Sequence, residues 1–256
     1  MDKNKITKKQ EEIIVLLYRF RFLNRSQIQK LLDHKKPHRI NQWLKSLDDK
    51  KLVGKIYSKK IGDNIKPAIY YLKAKSKNYL ADQLKKDNKL VRRLTSEKNR
   101  STKFINHCLL SGELYLNLKE IHLSDEVFFY TKVDLLNYSY LPVKHPDAYI
   151  AIKKEEDIKR YFFEIIDEGM PRFAIRAKIK QYLEYFDSNI WFEATKHPFP
   201  KILILCPNEA IKKYLHSHIN KLMEEEDKEE PQIYLSTEAS NKWTSALKEP
   251  ENDPER

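Results

Sequence analysis

Three charged residues in the second half of the chain stand at spacings suited to phosphodiester chemistry: Asp147, which follows Pro146, then Glu164 and Lys178. Mg²⁺ takes one or two carboxylates from a protein and leaves its other positions to water and phosphate oxygens. An ammonium beside two such carboxylates would offset the charge that develops on a scissile phosphate. The segments around Asp147 and Glu164 read as neighbouring strands joined by the polar turn KKEED. A turn symmetric about Glu155 and Glu156 makes paired positions sum to 311, which sets Asp147 opposite Glu164 and puts both side chains on one face. A one-residue slip would separate them. Read without chemistry, the same two residues are strand-edge charges. Lys178 lies three residues after Ile175 and four before Tyr182, on the inner side of a helix whose buried stripe is Ile175, Ile179, Tyr182 and Phe186. From there it either reaches both carboxylates or buries its stem and pairs with Glu164 or Asp167.

A second constellation lies near the N-terminus. Pro37 suits the first turn of a helix, in which Ile40, Leu44 and Leu47 form the inward stripe with Trp43 at its edge. Lys35, His38, Gln42 and Lys45 project away from that stripe, flanked by Arg39 and Asn41. A DNA major groove accepts such side chains: Arg and Lys contact guanine or phosphate, and Asn and Gln pair with adenine edges. Beyond the helix, a strand-like Lys55 to Lys60, a turn at Gly62-Asp63-Asn64 and a second strand near Ala68 to Leu72 predict a hairpin with Lys59, Lys60 and Lys66 near its tip.

The elements that must hold these residues follow from periodicity. Ile13, Ile14, Leu16, Leu17, Phe20 and Leu23 predict a first helix over residues 8 to 22. Asn24 with Gln27 makes a capping-box start for a short second helix carrying Ile28, Leu31 and Leu32. Three helices and a hairpin are the order of a winged helix-turn-helix, in which the third helix enters the major groove and the wing meets the backbone. A winged helix that binds protein instead of DNA is the alternative. A further helix from Ala74 to Lys86 and a basic connector, KLVRRLTSEKNR, close this half. In the second half, residues 101 to 119 predict a helix burying Phe104, Cys108, Leu109, Leu114 and Leu116. Strands follow at Glu126 to Tyr130, Asp147 to Ile152 and Arg160 to Ile166, then a helix from Pro171 to Phe186. A strand at Ile202 to Cys206, a helix from Asn208 to about Leu222 and a strand at Gln232 to Leu235 complete an α/β layer with a mixed sheet. The predicted fold class is α+β: a winged-helix domain over 1–90, a basic linker over 91–100, an α/β domain over 101–247 and a frayed tail over 248–256. The acidic run EEEDKEE at 224–230 reads as a solvated loop.

Composition narrows the function classes. With 256 residues, 41% hydrophobic and 11% aromatic, the chain has material for a real core. Its net charge of +12 is unevenly spread: residues 1–100 hold 28 Lys+Arg against 10 Asp+Glu, and the remainder 21 against 27. A basic, aromatic half points to a polyanion, nucleic acid or an anionic membrane surface, with a solvated lysine-rich surface as the bland alternative. Cys108 and Cys206 sit apart in apolar segments, which fits a reduced cytoplasm and neither a disulfide framework nor a zinc ribbon. No apolar run approaches the 18 residues of a membrane span, and the opening MDKNKITKKQ lacks the apolar stretch of a secretory signal, so neither secretion nor membrane insertion is expected. Four glycines and no Gly-rich phosphate loop leave an ATPase or a dinucleotide enzyme without support, and no nucleophile elbow occurs. His216-Ser217-His218 resembles the paired histidines of rolling-circle relaxases, but its segment reads as helical, so the two rings diverge. His107 has no ligand-spaced partner and reads as a core or helix-edge residue.

Taken in order, LNRSQIQKLL, RINQWLKSLDDKKLVGKIY, AIYYLKAKSKNYLA, the helix around His107, FFEIIDEG with Lys178 and Tyr182 downstream, and PKILILCPNEAIKKYL resemble the replication-relaxation family over nearly the whole length. The resemblance implies a winged helix joined to a domain similar to the PD-(D/E)XK nucleases, whose signature is Pro-Asp and then acid-x-Lys on the next strand. Pro146-Asp147 and Glu164 match it, but Ile166 stands where the lysine belongs, and Lys178 on the next helix is the substitute. The implied function is a double-stranded DNA-binding accessory that assists relaxation, mobilisation or replication at a plasmid origin. Its partners would be a relaxase or replication initiator and, in one arrangement, a second copy of the chain; DNA binding would need no cofactor. A first alternative is an endonuclease using Asp147, Glu164 and Lys178, with Mg²⁺ on Asp147 and Glu164. A second is a winged-helix transcriptional repressor whose C-terminal domain serves dimerisation.

Overall fold

A computed structural model describes residues 6–57, 67–82, 91, 97–224, 230–240 and 243–246. The architecture is mixed α+β with two sheets, and the chain divides into two compact units, Met1–Leu123 and Ser124–Arg256.

In the first unit, helix α1 (Lys8–Phe20) opens on a capping box between Thr7 and Gln10 and buries Ile13, Ile14 and Leu17. It stops two residues short of the predicted end because Arg21 turns to φ 68, which frees Phe22 and Leu23 to face inward. Strand β1 (Leu23–Asn24) follows, then helix α2 (Arg25–Leu31), whose Asn24–Gln27 capping box is the one the spacing predicts. Helix α3 (Pro37–Asp49) buries Ile40, Leu44 and Leu47. Strands β2 (Val53–Ile56) and β3 (Ile69–Leu72) pair antiparallel, and β1 joins the other edge of β3 to give the order β1-β3-β2. At two residues, β1 is too short to show a period. The expected wing tip, with Gly62-Asp63-Asn64 and Lys59, Lys60 and Lys66, lies outside the described residues. Within the hairpin Gly54 stands opposite Tyr71, whose ring covers the space a Cβ at Gly54 would need. Helix α4 (Ser76–Asp82) comes next.

Helix α5 (Thr102–Ile121) departs from the predicted layout. Sequence assigns it to the second domain, but it lies on the first unit, where Ile105 and Cys108 form a core cluster with Phe22 and Tyr71. Gln27 Nε2 donates to Leu109 O at 2.8 Å, and a Cβ on Gly112 would stand 2.8 Å from Leu23 Cδ2, so glycine permits the close approach. Cys108 and Leu116 are buried as predicted, whereas Phe104, Leu109 and Leu114 are only half-buried. The expected linker is also anchored: Glu97 is buried and receives Arg21 Nη2 at 2.6 Å, beneath the Arg21 guanidinium that lies 4.4 Å from the Phe104 ring centre. The units therefore divide after Leu123 and not at residues 91–100. The charge asymmetry survives the shift, because residues 101–123 add two lysines and two glutamates, leaving +18 and −6.

The second unit runs β4 (Glu126–Thr131), α6 (Lys132–Leu135), β5 (Ala148–Lys154), β6 (Asp157–Ile165), α7 (Arg172–Asp187), α8 (Ile190–Thr195), β7 (Lys201–Cys206), α9 (Glu209–Glu224), β8 (Ile233–Thr237) and β9 (Thr244–Ser245). The sheet keeps sequence order from β4 to β9: β4, β5 and β6 form an antiparallel meander, β6, β7 and β8 are parallel, and β9 returns antiparallel at the edge. The mixed sheet and its longer elements match the predicted order; α6, α8 and β9 are too short to read from periodicity. Parallel pairing of β6 with β7 needs a crossover, which α7 and α8 supply. Phe162, Ile202, Ile204, Cys206, Ile233 and Leu235 share a core with Ile175, Ile179 and Tyr182 of α7, Trp191 of α8, and Leu215 and Ile219 of α9. Tyr185, not the predicted Phe186, completes the buried stripe of α7. Cys108 and Cys206 are both buried and not in a disulfide, and among the described residues no helix is long and apolar enough to cross a membrane.

Candidate functional site

The β5–β6 hairpin pairs Lys154 with Asp157 at its turn and Ala148 with Phe163 at its far end, the register that sums to 311. Asp147 N continues the ladder by donating to Phe163 O at 3.0 Å, so Asp147 falls opposite Glu164 as predicted. Asp147 is 6% exposed and Glu164 2%. Lys178 projects from α7 onto Glu164 Oε2, and one turn further Tyr182 donates its hydroxyl hydrogen to Glu164 Oε1 at 2.8 Å. Asp147 Oδ2 accepts from Ile165 N at 3.0 Å, and Asp147 Oδ1 accepts from Lys132 Nζ at 3.2 Å. The three residues singled out in sequence thus converge, and two more join them. Lys132 comes from the strand end beside Asp147, where its own N–H donates to Asp147 O at 3.0 Å. Tyr182 reads in sequence as core, and its ring is core; its hydroxyl is what the site uses.

Burial pushes the Glu164 carboxyl up to about 7, with the charge of Asp147 adding to the rise and Lys178 and Lys132 opposing it. For Lys178, burial pulls the other way, but Glu164 and Asp147 together outweigh it and hold the ammonium above its ordinary value. The Tyr182 phenol is raised well above its usual range, by burial first and then by the Glu164 charge it faces.

These contacts decide how the site suits Mg²⁺. Each of the four carboxylate oxygens already accepts from a protein donor: Ile165 N–H, the Lys132 ammonium, the Lys178 ammonium or the Tyr182 hydroxyl. Among the described residues no group of three or more His, Cys, Asp or Glu is placed to hold a metal ion. The Lys132 and Lys178 ammonium groups already bring these two acids the positive charge that a divalent cation would otherwise supply, so the residues as arranged do not fit the ion. Ile166, at the strand position of the missing lysine, is 2% exposed and belongs to the core.

On α3 five of the six predicted side chains, His38, Arg39, Asn41, Gln42 and Lys45, are exposed, opposite the buried Ile40, Leu44 and Leu47; the sixth, Lys35, is exposed too but lies in the loop before the helix, which starts only at Pro37 after the Lys36 cap. Arg39 Nη1 donates to Gln42 Oε1 at 3.4 Å, so two of them are already held near each other. Asp48, near the C-terminal end of α3, is engaged by Lys73 at 2.7 Å and Lys55 at 3.4 Å; the Lys73 hydrogen bond leads in holding its carboxyl below the usual range. The histidine pair behaves as its helical setting predicts: His216 is exposed and bonds Asn220, while His218 stacks on Tyr214 at 6.2 Å.

A family model described as replication-relaxation matches residues 14–202, from within α1 to the start of β7. No curated protein and no solved structure gives a significant match. The match takes in more than half of the chain, most of the first unit, the second unit as far as the start of β7, the exposed face of α3 and the carboxylate–lysine cluster. By that coverage the chain belongs to the replication-relaxation family, which associates it with plasmid replication and relaxation.

Proposed function

We propose that the chain is a sequence-selective double-stranded DNA-binding protein that assists relaxation, mobilisation or replication at a plasmid origin, in the cytoplasm and alongside a relaxase or replication initiator. The observation that carries this reading is the exposed face of α3: five polar side chains of the kinds that read base edges and phosphates, with Lys35 just before the helix, in a unit of net charge +18. The chain order α1-β1-α2-α3-β2-β3, with β1-β3-β2 as the sheet order, supports a winged helix, with α3 in the major groove and the β2–β3 hairpin as wing. The second unit, at −6, has no net positive charge to draw duplex DNA, and its two buried acids are each paired with a lysine; it serves as a nuclease-like body that does not cut, open to partner binding or self-association.

Titrating the whole protein against duplex DNA over a salt series tests the proposal. Affinity should fall with salt at about 0.9 log units per log unit for each phosphate contacted, and a lack of binding at low salt would sink it. The convergence of Asp147, Glu164 and Lys178 favours one other reading, a Mg²⁺-dependent endonuclease. Incubation with supercoiled plasmid decides between them: Mg²⁺-dependent cleavage abolished by both Asp147→Ala and Lys178→Ala would establish that alternative.

A further inference from the structure

Beside the carboxylate–lysine cluster the second unit holds an aromatic cavity to which the family relationship assigns no role. Its volume is about 190 Å³, and its walls include Tyr130, Leu135, Tyr138, Tyr140, Tyr149 and Trp191. Successive rings touch in an arc: Tyr138 to Tyr140 at 5.7 Å, Tyr140 to Trp191 at 6.1 Å, Trp191 to Tyr149 at 5.6 Å and Tyr149 to Tyr130 at 5.9 Å. Adjacent rings are inclined by 38° to 66°, so the wall curves around the space and does not close it by parallel stacking. Trp191 is buried at the back, whereas Tyr138 is 40% exposed and forms an open lip. The loop carrying Tyr138 and Tyr140 is fixed from beneath, since Tyr185 donates its hydroxyl hydrogen to Tyr140 O at 2.8 Å.

The size of the space limits what it takes. Drug-sized ligands need roughly 300 Å³ or more, while a cavity of about 150 Å³ accommodates benzene, so this one suits a single small ring system. Aromatic walls offer such a ring stacking on its faces, and the phenol hydroxyls offer hydrogen bonds to its polar edge. Cationic groups stand close by: Lys132, half-exposed, lies at the start of the same short helix as Leu135, and Arg160 is on the strand beside Tyr149 and interacts with its hydroxyl. A polar planar ring attached to an anionic chain is the chemistry of a nucleotide within a strand. Replication and relaxation both expose unpaired strands, and base stacking on aromatic side chains is tolerant of sequence.

We infer that this cavity binds one unpaired base of single-stranded DNA, stacked against the Tyr138–Tyr140–Trp191 wall, with Lys132 or Arg160 facing its backbone phosphate. The inference rests on the association with DNA proposed above, but on a different unit and a different form of DNA.

The test uses the whole protein and a single-stranded oligonucleotide carrying 2-aminopurine, whose fluorescence is quenched by stacking on aromatic rings. Duplex affinity is measured in parallel. Wild type should quench the probe on binding; Tyr138→Ala should weaken single-strand binding about tenfold and restore the fluorescence, with duplex affinity unchanged. Tyr138→Phe, which keeps the ring, should quench like wild type, and unchanged thermal melting of both variants excludes a folding defect. If single strands bind without quenching, or Tyr138→Ala quenches as well as wild type, the cavity is not a base site. Loss of duplex binding by the wild-type protein would count against the α3 reading instead, so the two failures are distinguishable.

Discussion

Tyr182 and Lys178, one turn apart on α7, grip the two oxygens of a single buried carboxylate, Glu164, from the same side. Asp147, across the hairpin, is satisfied separately by Lys132 and the Ile165 N–H. The two acids therefore have separate cationic partners, drawn from α7 and from the start of α6.

The hydroxyl of Tyr182 should be worth more than its modest chemistry suggests. Tyr182→Phe leaves Glu164 Oε1 buried without a donor, at a cost of about 1–3 kcal/mol in urea unfolding. Lys178→Met removes the counter-charge as well and should cost about 3–5 kcal/mol near neutral pH. Stability unchanged in both variants would show that the cluster carries no such load.

The raised Glu164 carboxyl gives stability a direction in pH. A carboxyl whose folded value is about 7 binds a proton more readily folded than unfolded, so between its ordinary range near 4.5 and about 7 the folded state holds more protons. Stability contributed at this position therefore falls as pH rises through that window. Glu164→Gln, neutral throughout, should flatten the slope. Urea midpoints compared at pH 5 and 7.5 check this, and identical slopes for variant and wild type would contradict it.

Because lysines supply the positive charge, Mg²⁺ should do little. Thermal melting of the wild-type protein should move by no more than measurement error between excess EDTA and millimolar Mg²⁺. A clear rise with Mg²⁺, lost in Asp147→Asn, would mean that a cation displaces Lys132.

Much of this site is readable from sequence because a two-residue turn leaves little choice of register: Glu155-Glu156 dictates that Asp147 meet Glu164. The neighbouring register resists such reading. β4 pairs with β5 so that Glu126 meets Lys153 and Thr131 meets Ala148, but the connection from Leu136 to Asp147 carries no compact turn signal, so Lys132 cannot be placed beside Asp147 in advance. The same logic explains α5. Periodicity shows that a helix has an apolar side, not which unit receives it, and the charge break near residue 100 reflects solvated side chains and not the contacts of Ile105 and Cys108.

The position of α5 sets the boundary of an independent first unit. A fragment of residues 1–123 should unfold cooperatively and keep duplex binding, whereas 1–90 lacks the helix that shares a core with Phe22 and Tyr71 and should melt broadly or aggregate. Equal cooperativity in calorimetry would return α5 to the second unit.

Within that unit, reading of sequence and grip on DNA should separate. Arg39→Ala or Gln42→Ala should relax preference among duplex sequences by roughly 1–3 kcal/mol, while Lys59→Ala or Lys66→Ala should weaken every sequence alike. Competition binding against a randomised duplex pool checks this, and the reverse pattern would invert the docking.

The lysine-paired carboxylates have one more consequence. A site neutralised by groups tethered to its own chain has its counter-charge in place once the chain has folded. A metal-loaded site is adjustable, filling or emptying as its surroundings change; in the pairs Lys132–Asp147 and Lys178–Glu164 the counter-charge comes with the chain itself, and protons or a rearrangement of the chain are what would alter it.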